Sequence, residues 1–268
     1  MSNEVPSFRD APPWLRGRTL WLARAGSHSY GTSTPTSDVD IRGICSVPRE
    51  YVLGFAHSFE QFQCPEPDVL VIELRRFFSL AADAQAWALE MLFVDPDDVL
   101  FRAPIIEPLI DARELFLSRK ARHTFSGYAM AQLKRLRAHR RYIVDPPAEG
   151  DPDRGGYEQW AKKRNPKRKA LEDRFGYDTK FGMHVVRLMR MAREVLESRT
   201  LRVKRPDAEE LRAIRDGAWS FEALEQWATD RDAELDAIEA ASSLPKVPDR
   251  AKLDLLCCEL VEKSLSSA

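Results

Sequence analysis

The amino-acid sequence predicts an α+β (α/β) protein, a small mixed β-sheet followed by a helical region. Three observations carry that expectation. Apolar runs of strand length, alternating or continuous, fall within the first 75 residues. From Glu73 onward the apolar spacing changes to a helical period, and past Asp95 the chain reads as predominantly helical. With 268 residues, 44% hydrophobic and 31% charged, the chain can bury a substantial core. The expected division is a sheet-bearing core over residues 1–100 and a helical domain over 101–268.

Residues 1–18 read as a lead-in, since Pro12-Pro13 blocks regular structure. Thr19-Leu20-Trp21-Leu22-Ala23 is a short buried strand, ended by Gly26-Ser27. A short helix is expected to begin within Ser27 to Thr32, followed by a loop to Ser37 that contains Pro35. Asp38 to Val47 reads as a strand with Val39 and Ile41 on one face and Asp38 and Asp40 on the other. Arg49 to Phe55 is a connector and Ser58 to Gln63 a third strand. The two prolines of Cys64-Pro65-Glu66-Pro67 mark a turn. Asp68 to Ile72 is a fourth strand whose continuous apolar run implies burial on both faces.

Glu73 to Phe93 is expected to form one helix with a face of Phe77, Phe78, Ala81, Ala82, Ala88, Met91 and Leu92. Ile105 to Leu117 and Thr124 to Arg141 are further helices. The second carries Phe125, Tyr128, Ala129, Leu133 and Leu136 near one face. Asp145 to Gly156 reads as a loop, and Lys162 to Lys169 as an exposed loop or a helix start. Asp178 to Glu197 is a strong helix with Phe181, Val185, Leu188 and Met189 inward. Leu201 to Pro206 is extended. Helices follow over Asp207 to Asp216, Ser220 to Ala241 and Pro248 to Ser264.

No apolar run approaches the roughly 20 residues needed to cross a bilayer, so no membrane partner is expected. Met1 to Asp10 is polar and lacks a signal-peptide apolar region. Cys45, Cys64, Cys257 and Cys258 lack metal-ligand spacing, which suits reduced thiols in a cytoplasmic protein. The net charge is −1, yet Arg119 to Lys169 holds 15 Lys or Arg against 5 Asp or Glu. Such a segment either meets a polyanion or forms solvated helix faces balanced elsewhere.

The chemistry concentrates in two neighbouring motifs. Gly26-Ser27-His28-Ser29-Tyr30-Gly31 follows the first strand. A Gly there lets backbone N–H groups approach an anion, and Ser27 adds a hydroxyl donor. Ser37-Asp38-Val39-Asp40-Ile41-Arg42-Gly43 then places two carboxylates about 7 Å apart along one face of a strand. That spacing can share divalent cations. Further on, Lys180, His184 and Arg187 recur at i, i+4 and i+7, so three potential cations share one side of a helix. They would suit a triphosphate, or an ordinary solvated face.

Strand, Gly-Ser, small-residue spacer and Ser-Asp-Val-Asp together resemble the signature of the DNA polymerase beta-like nucleotidyltransferases. Further stretches resemble one family of that superfamily, the nucleotidyltransferases named for an RNA repair pathway. They are Asp68 to Phe78 leading into Leu89-Glu90-Met91-Leu92, Phe116 to Lys120, Phe125 to Ala129, Gln132-Leu133-Lys134, and Tyr177 to Phe181 with His184 and Arg187. Ala84-Gln85-Ala86-Trp87 departs from the Gly-Asn-Pro type of turn expected there, which bears on the helix path.

The resemblance implies an NTP donor, Mg²⁺ (or Mn²⁺) and a helical domain that closes the nucleotide cleft. It implies that Gly26 and Ser27 bind phosphates while Asp38 and Asp40 hold metal. A third carboxylate on a neighbouring strand is also implied. Asp68 fits best and Glu73 competes, although Glu73 also lies where a helix begins. The expected reaction is transfer of an NMP from the NTP to an acceptor hydroxyl, with RNA the expected acceptor. Nucleotidylation of a protein or small molecule is the rival, and a non-catalytic nucleic-acid-binding module on the same fold is another.

Overall fold

The computed structural model describes residues 4–266, and of Lys167 only the backbone. The protein is a mixed α+β chain that packs into two compact units. The first takes residues 1–121, 194–206 and 243–268, and the second takes 122–193 and 207–242.

The first unit is built on a five-stranded sheet. Its strands are β1 (Thr19–Ala25), β2 (Asp40–Cys45), β3 (Gln61–Pro65), β4 (Asp68–Glu73) and β5 (Val99–Arg102), in the order β3-β4-β2-β1-β5. β2 and β4 run parallel, and the other neighbours are antiparallel. Gly43 lies where β1 and β4 close in on β2. A Cβ there would stand 2.5 Å from Leu22 Cδ2 and 2.9 Å from the Trp21 carbonyl oxygen. One face of the sheet carries Leu22, Cys45, Phe62, Cys64, Val69 and Val71, covered by Val5 and Leu15 of the lead-in. The helix α1 (Leu74–Ala82) packs on β4 and β2, and α2 (Ala86–Leu92) follows.

Several expected elements differ in ways that have physical causes. The strand expected from Asp38 begins at Asp40. Val39 is exposed, since no neighbouring strand pairs with it. The helix expected over Glu73 to Phe93 is broken at Asp83–Gln85, where Ala84 takes a left-handed conformation (φ 55°). The break falls at the stretch that departs from the family pattern. The helix expected over Ile105 to Leu117 is a series of short turns, Pro104–Ile106, Glu107–Asp111 and Arg113–Phe116, and Pro108 withholds one backbone donor from a continuous helix.

The second unit is helical. It comprises a π-helical turn at Arg122–Ser126, then α3 (Gly127–Val144), α4 (Arg154–Lys162), α5 (Pro166–Phe175), α6 (Thr179–Ser198, whose last turn lies in the first unit), α7 (Ala208–Arg215) and α8 (Phe221–Ala241). Phe125, Ala129, Leu133 and Leu136 are buried as expected, whereas Tyr128 is exposed at 56%. Arg122 is buried and is neutralised by Asp232 and Asp236 of α8. The last helix, α9 (Arg250–Ser266), belongs to the first unit and packs on α1. Its Cys257 is buried and Cys258 exposed, and burial pushes the Cys257 thiol up to about 12. Among the described residues no helix is long and apolar enough to cross a membrane.

Candidate active site

Register brings the acidic residues of two strands into one row. Ala25 of β1 pairs with Asp40 of β2, and Asp40 pairs with Asp68 of β4. Residues opposed across a sheet share a face, so Asp40, Asp68 and, two positions on, Arg42 project to the same side. The β1 chain leaves this row through Gly26, which opens a helical turn, Gly26–Ser29. Gly26 has φ 64°, and a Cβ on it would stand 1.9 Å from Asp40 Oδ2. Only glycine admits both that backbone conformation and that approach. Thus the Gly-Ser turn and the second Asp of the motif are packed against each other.

The turn is tied internally. The Ser29 hydroxyl donates to the Gly26 carbonyl at 3.0 Å, and the Thr32 N–H donates to the Ser27 carbonyl at 2.9 Å. Ser27 is half-buried, and its hydroxyl has no hydrogen-bond partner among the described residues. Asp38 precedes β2 and is exposed, in a loop where Thr34 N–H donates to Ser37 Oγ at 2.9 Å.

Asp68 is engaged by Arg42, whose Nη1 and Nη2 reach its two carboxylate oxygens at 3.0 and 3.4 Å. Glu73, the competing acid, lies five residues along β4 and on the opposite face. Its buried carboxylate accepts from the Arg76 N–H at 3.0 Å and from Arg75 Nε at 2.9 Å, capping α1. That is a complete structural employment, away from the row of carboxylates.

A cleft of about 130 Å³ opens on the Asp40 side of the sheet. Asp40, Arg42, Tyr30, Trp87, Glu90 and Val203 are among its walls. The Tyr30 hydroxyl donates to Glu90 Oε2 at 2.6 Å, so a buried acid of α2 faces the same space as Asp40. Tyr30, Arg42 and Glu90 were not among the expected site residues. Arg42 carried a signal, since it follows Asp40 by two in a strand. Glu90 carried another, as an acid within the apolar run Leu89 to Leu92.

Among the described residues no group of three or more His, Cys, Asp or Glu side chains is gathered as a metal site. The donor chemistry still fits a hard divalent cation. Asp40 and Asp68 present carboxylate oxygens from adjacent strands on one face, and Mg²⁺ takes one or two carboxylates alongside substrate phosphates. Arg42 holds one of the two carboxylates and would have to yield it.

In the second unit, Lys180, His184 and Arg187 lie along α6 as expected. Their charges are not alike. His184 is half-buried and its imidazole is held well below the usual range, first by burial and then by Arg187, Arg168, Lys180 and Arg215. His184 is therefore neutral at pH 7, and the expected trio of cations is a pair with a neutral imidazole. Arg187 is buried, with Nη1 at 3.1 Å from Met191 Sδ. Three basic side chains of the stretch before it are paired with acids. Arg164 pairs with Glu172, Arg168 with Asp178 at 3.0 Å, and Lys169 with Asp173.

A mixed sheet carrying acidic residues in one row beside a glycine-led turn defines the class, a polymerase beta-like α+β core with appended helices. The chain belongs to the RNA repair pathway DNA polymerase beta family, which it matches over residues 9–259. The chain is also similar to an uncharacterized 38.9 kDa protein from the nrdC–mobD intergenic region of Enterobacteria phage T4. The two are 36% identical over 93 residues, 31% of this chain. The match spans 28% of the phage protein's length. No solved structure matches the chain.

Proposed function

We propose that the protein transfers an NMP from an NTP to an acceptor hydroxyl, RNA by preference, and releases pyrophosphate. The observation that carries this reading is the row Ala25–Asp40–Asp68, with Gly26 packed against the Asp40 carboxylate. A solvated strand face has no need of a glycine shaped around one carboxylate oxygen.

The acceptor oxygen bonds to the α-phosphorus, the α–β phosphoanhydride bond breaks, and pyrophosphate leaves. Gly26 and Ser27 hold the β- and γ-phosphates, Ser27 through its uncommitted hydroxyl. Asp38, Asp40 and Asp68 are the residues that would hold Mg²⁺ or Mn²⁺. When bound, the metal supplies charge neutralisation at the phosphates and lowers the pKa of the attacking hydroxyl. Asp68, released by Arg42, also stands as an acceptor for the hydroxyl proton. The employment of Glu73 as a helix cap favours Asp68 as the third carboxylate. From the second unit, the reading assigns Lys180 and Arg187 to phosphate oxygens and neutral His184 to a hydrogen bond. The setting is cytoplasmic, in keeping with the free thiols.

The test is incubation of the protein with each labelled NTP, Mg²⁺ or Mn²⁺, and pools of RNA, protein and small-molecule acceptors. Label should pass to RNA in the wild type and not in Asp40→Asn. Transfer undiminished in Asp40→Asn would overturn the mechanism. Label on protein or small molecule alone would replace the acceptor.

A further inference from the structure

A trough of about 600 Å³ continues from the carboxylate cleft along the same side of β1. The cleft includes Ala23 and Ala25, and the trough includes Trp21. Alternate residues of a strand share a face. Val94 and Val203 line both spaces. The trough is bounded by the segment after α2, by β5 and by the extended stretch Thr200–Lys204.

Three features of its lining point to one kind of ligand. Trp21 is 3% exposed, and its indole N–H meets no acceptor among the described residues. A buried donor without an acceptor is costly, and an acceptor on a ligand would relieve it. Four cations, Arg102, Arg113, Arg202 and Lys204, stand against one acid, Asp95. Arg102 pairs with Glu107, and Lys204 lies 3.7 Å from Asp95. Arg113 and Arg202 have no ion pair among the described residues. Finally, the Arg113 guanidinium lies 5.5 Å from the centroid of the half-buried Phe93 ring. Cations without an ion pair, beside aromatic rings, suit a strand of phosphates and exposed bases.

We propose that this trough binds a single-stranded polynucleotide and leads its terminal hydroxyl to the carboxylate row. Arg113 and Arg202 contact phosphates, Phe93 stacks on a base, and the Trp21 N–H donates to a base or sugar oxygen. The proposal rests on the nucleotidyltransferase reading for its direction toward the cleft, but not for binding itself. It places the acceptor on the first unit, not on the basic segment around Lys162 to Lys169, where Arg164, Lys169 and Arg168 are paired with Glu172, Asp173 and Asp178.

The experiment uses the full chain without NTP or metal, so that binding is read apart from catalysis. Fluorescence anisotropy follows labelled oligouridylate and oligothymidylate of about ten nucleotides across a salt series. The wild type should bind at least one of them, and preference for oligouridylate would assign the acceptor as RNA. Arg113→Ala/Arg202→Ala should weaken binding about tenfold and flatten the slope of log affinity against log salt by about 1.4, two phosphates at roughly 0.7 each. Arg202→Glu, at an exposed position where folding is not at issue, should weaken it as well. Lys162→Ala/Lys163→Ala should change neither quantity. Wild-type affinity in both arginine variants, binding lost only in the lysine variant, or no binding by the wild type would each overturn the proposal. Oligonucleotide binding with no NTP-dependent transfer would leave the trough standing and sink the nucleotidyltransferase reading instead. Transfer to RNA with unaltered binding in the arginine variants would do the opposite.

Discussion

At the scale of single residues, the proposed site rests on a glycine as much as on its acids. Gly26 combines φ 64° with an Asp40 oxygen where its Cβ would be. Gly26→Ala should therefore destabilise the fold by about 1–3 kcal/mol and displace the Asp40 carboxylate. Denaturant unfolding and the transfer assay check the two effects, and an Ala variant with wild-type values of both would show the contact to be dispensable. His184 gives a pH signature. Its folded pKa lies well below the unfolded value near 6.5, so between the two the unfolded state binds the extra proton. Stability then falls as pH drops below about 6.5, by up to about 1.4 kcal/mol per pH unit. His139, lowered first by burial, adds the same sign. His184→Asn should flatten unfolding free energy between neutral and mildly acid pH, and an unchanged slope would return His184 to a solvated face. Strand spacing singled out Asp40, and the family resemblance singled out Asp68; the register sets the two opposite each other. Arg42, Tyr30 and Glu90 were not singled out, because their roles arise only where separate elements meet.

At the scale of elements, β1 to β4 were legible because alternation and short apolar runs are local, whereas the four-residue edge strand β5 was missed in a stretch read as helical. The helices erred where local signals conflict. Glu73 to Phe93 keeps one apolar period on both sides of Ala84, so periodicity alone cannot reveal the left-handed break. Glu73 was ambiguous for a related reason: an acid between strand and helix serves equally as ligand or cap. The two roles separate by mutation. Glu73→Ala removes the α1 cap and should cost about 1 kcal/mol, with activity per folded molecule retained. Asp68→Asn should keep the fold and lose transfer. Parallel measurements of unfolding midpoint and transfer rate decide it. The reverse pattern, activity lost with Glu73 and kept without the Asp68 carboxylate, would exchange their roles.

At the scale of the whole molecule, the sheet-bearing unit is assembled from three separate stretches of chain, which sequence periodicity cannot disclose. A terminal amphipathic helix announces itself, but not the core that it joins. In the protein α9 packs on α1, with Leu253, Cys257 and Leu260 buried. The segment leading to it is also fastened. The Arg119 N–H donates to the Pro245 carbonyl at 2.9 Å, and Arg250 meets Asp83 at 2.5 Å. Asp83 receives Lys120 as well, and that hydrogen bond is the main reason its carboxyl lies below the usual range. The same carboxylate sits in the break between α1 and α2, so the C-terminal helix holds the element that carries Glu90. Burying the two leucines contributes about 2 kcal/mol each, roughly 4 kcal/mol against a total stability of about 5–15 kcal/mol. A chain ended at Ser242 should therefore lose the cooperative unfolding of the first unit, and with it nucleotide binding and transfer. Tryptophan fluorescence and near-UV circular dichroism through a denaturant titration would detect this, since Trp14, Trp21 and Trp87 all lie in that unit. A truncated chain with the wild-type transition and wild-type transfer would show that the sheet holds its site without its terminal helix.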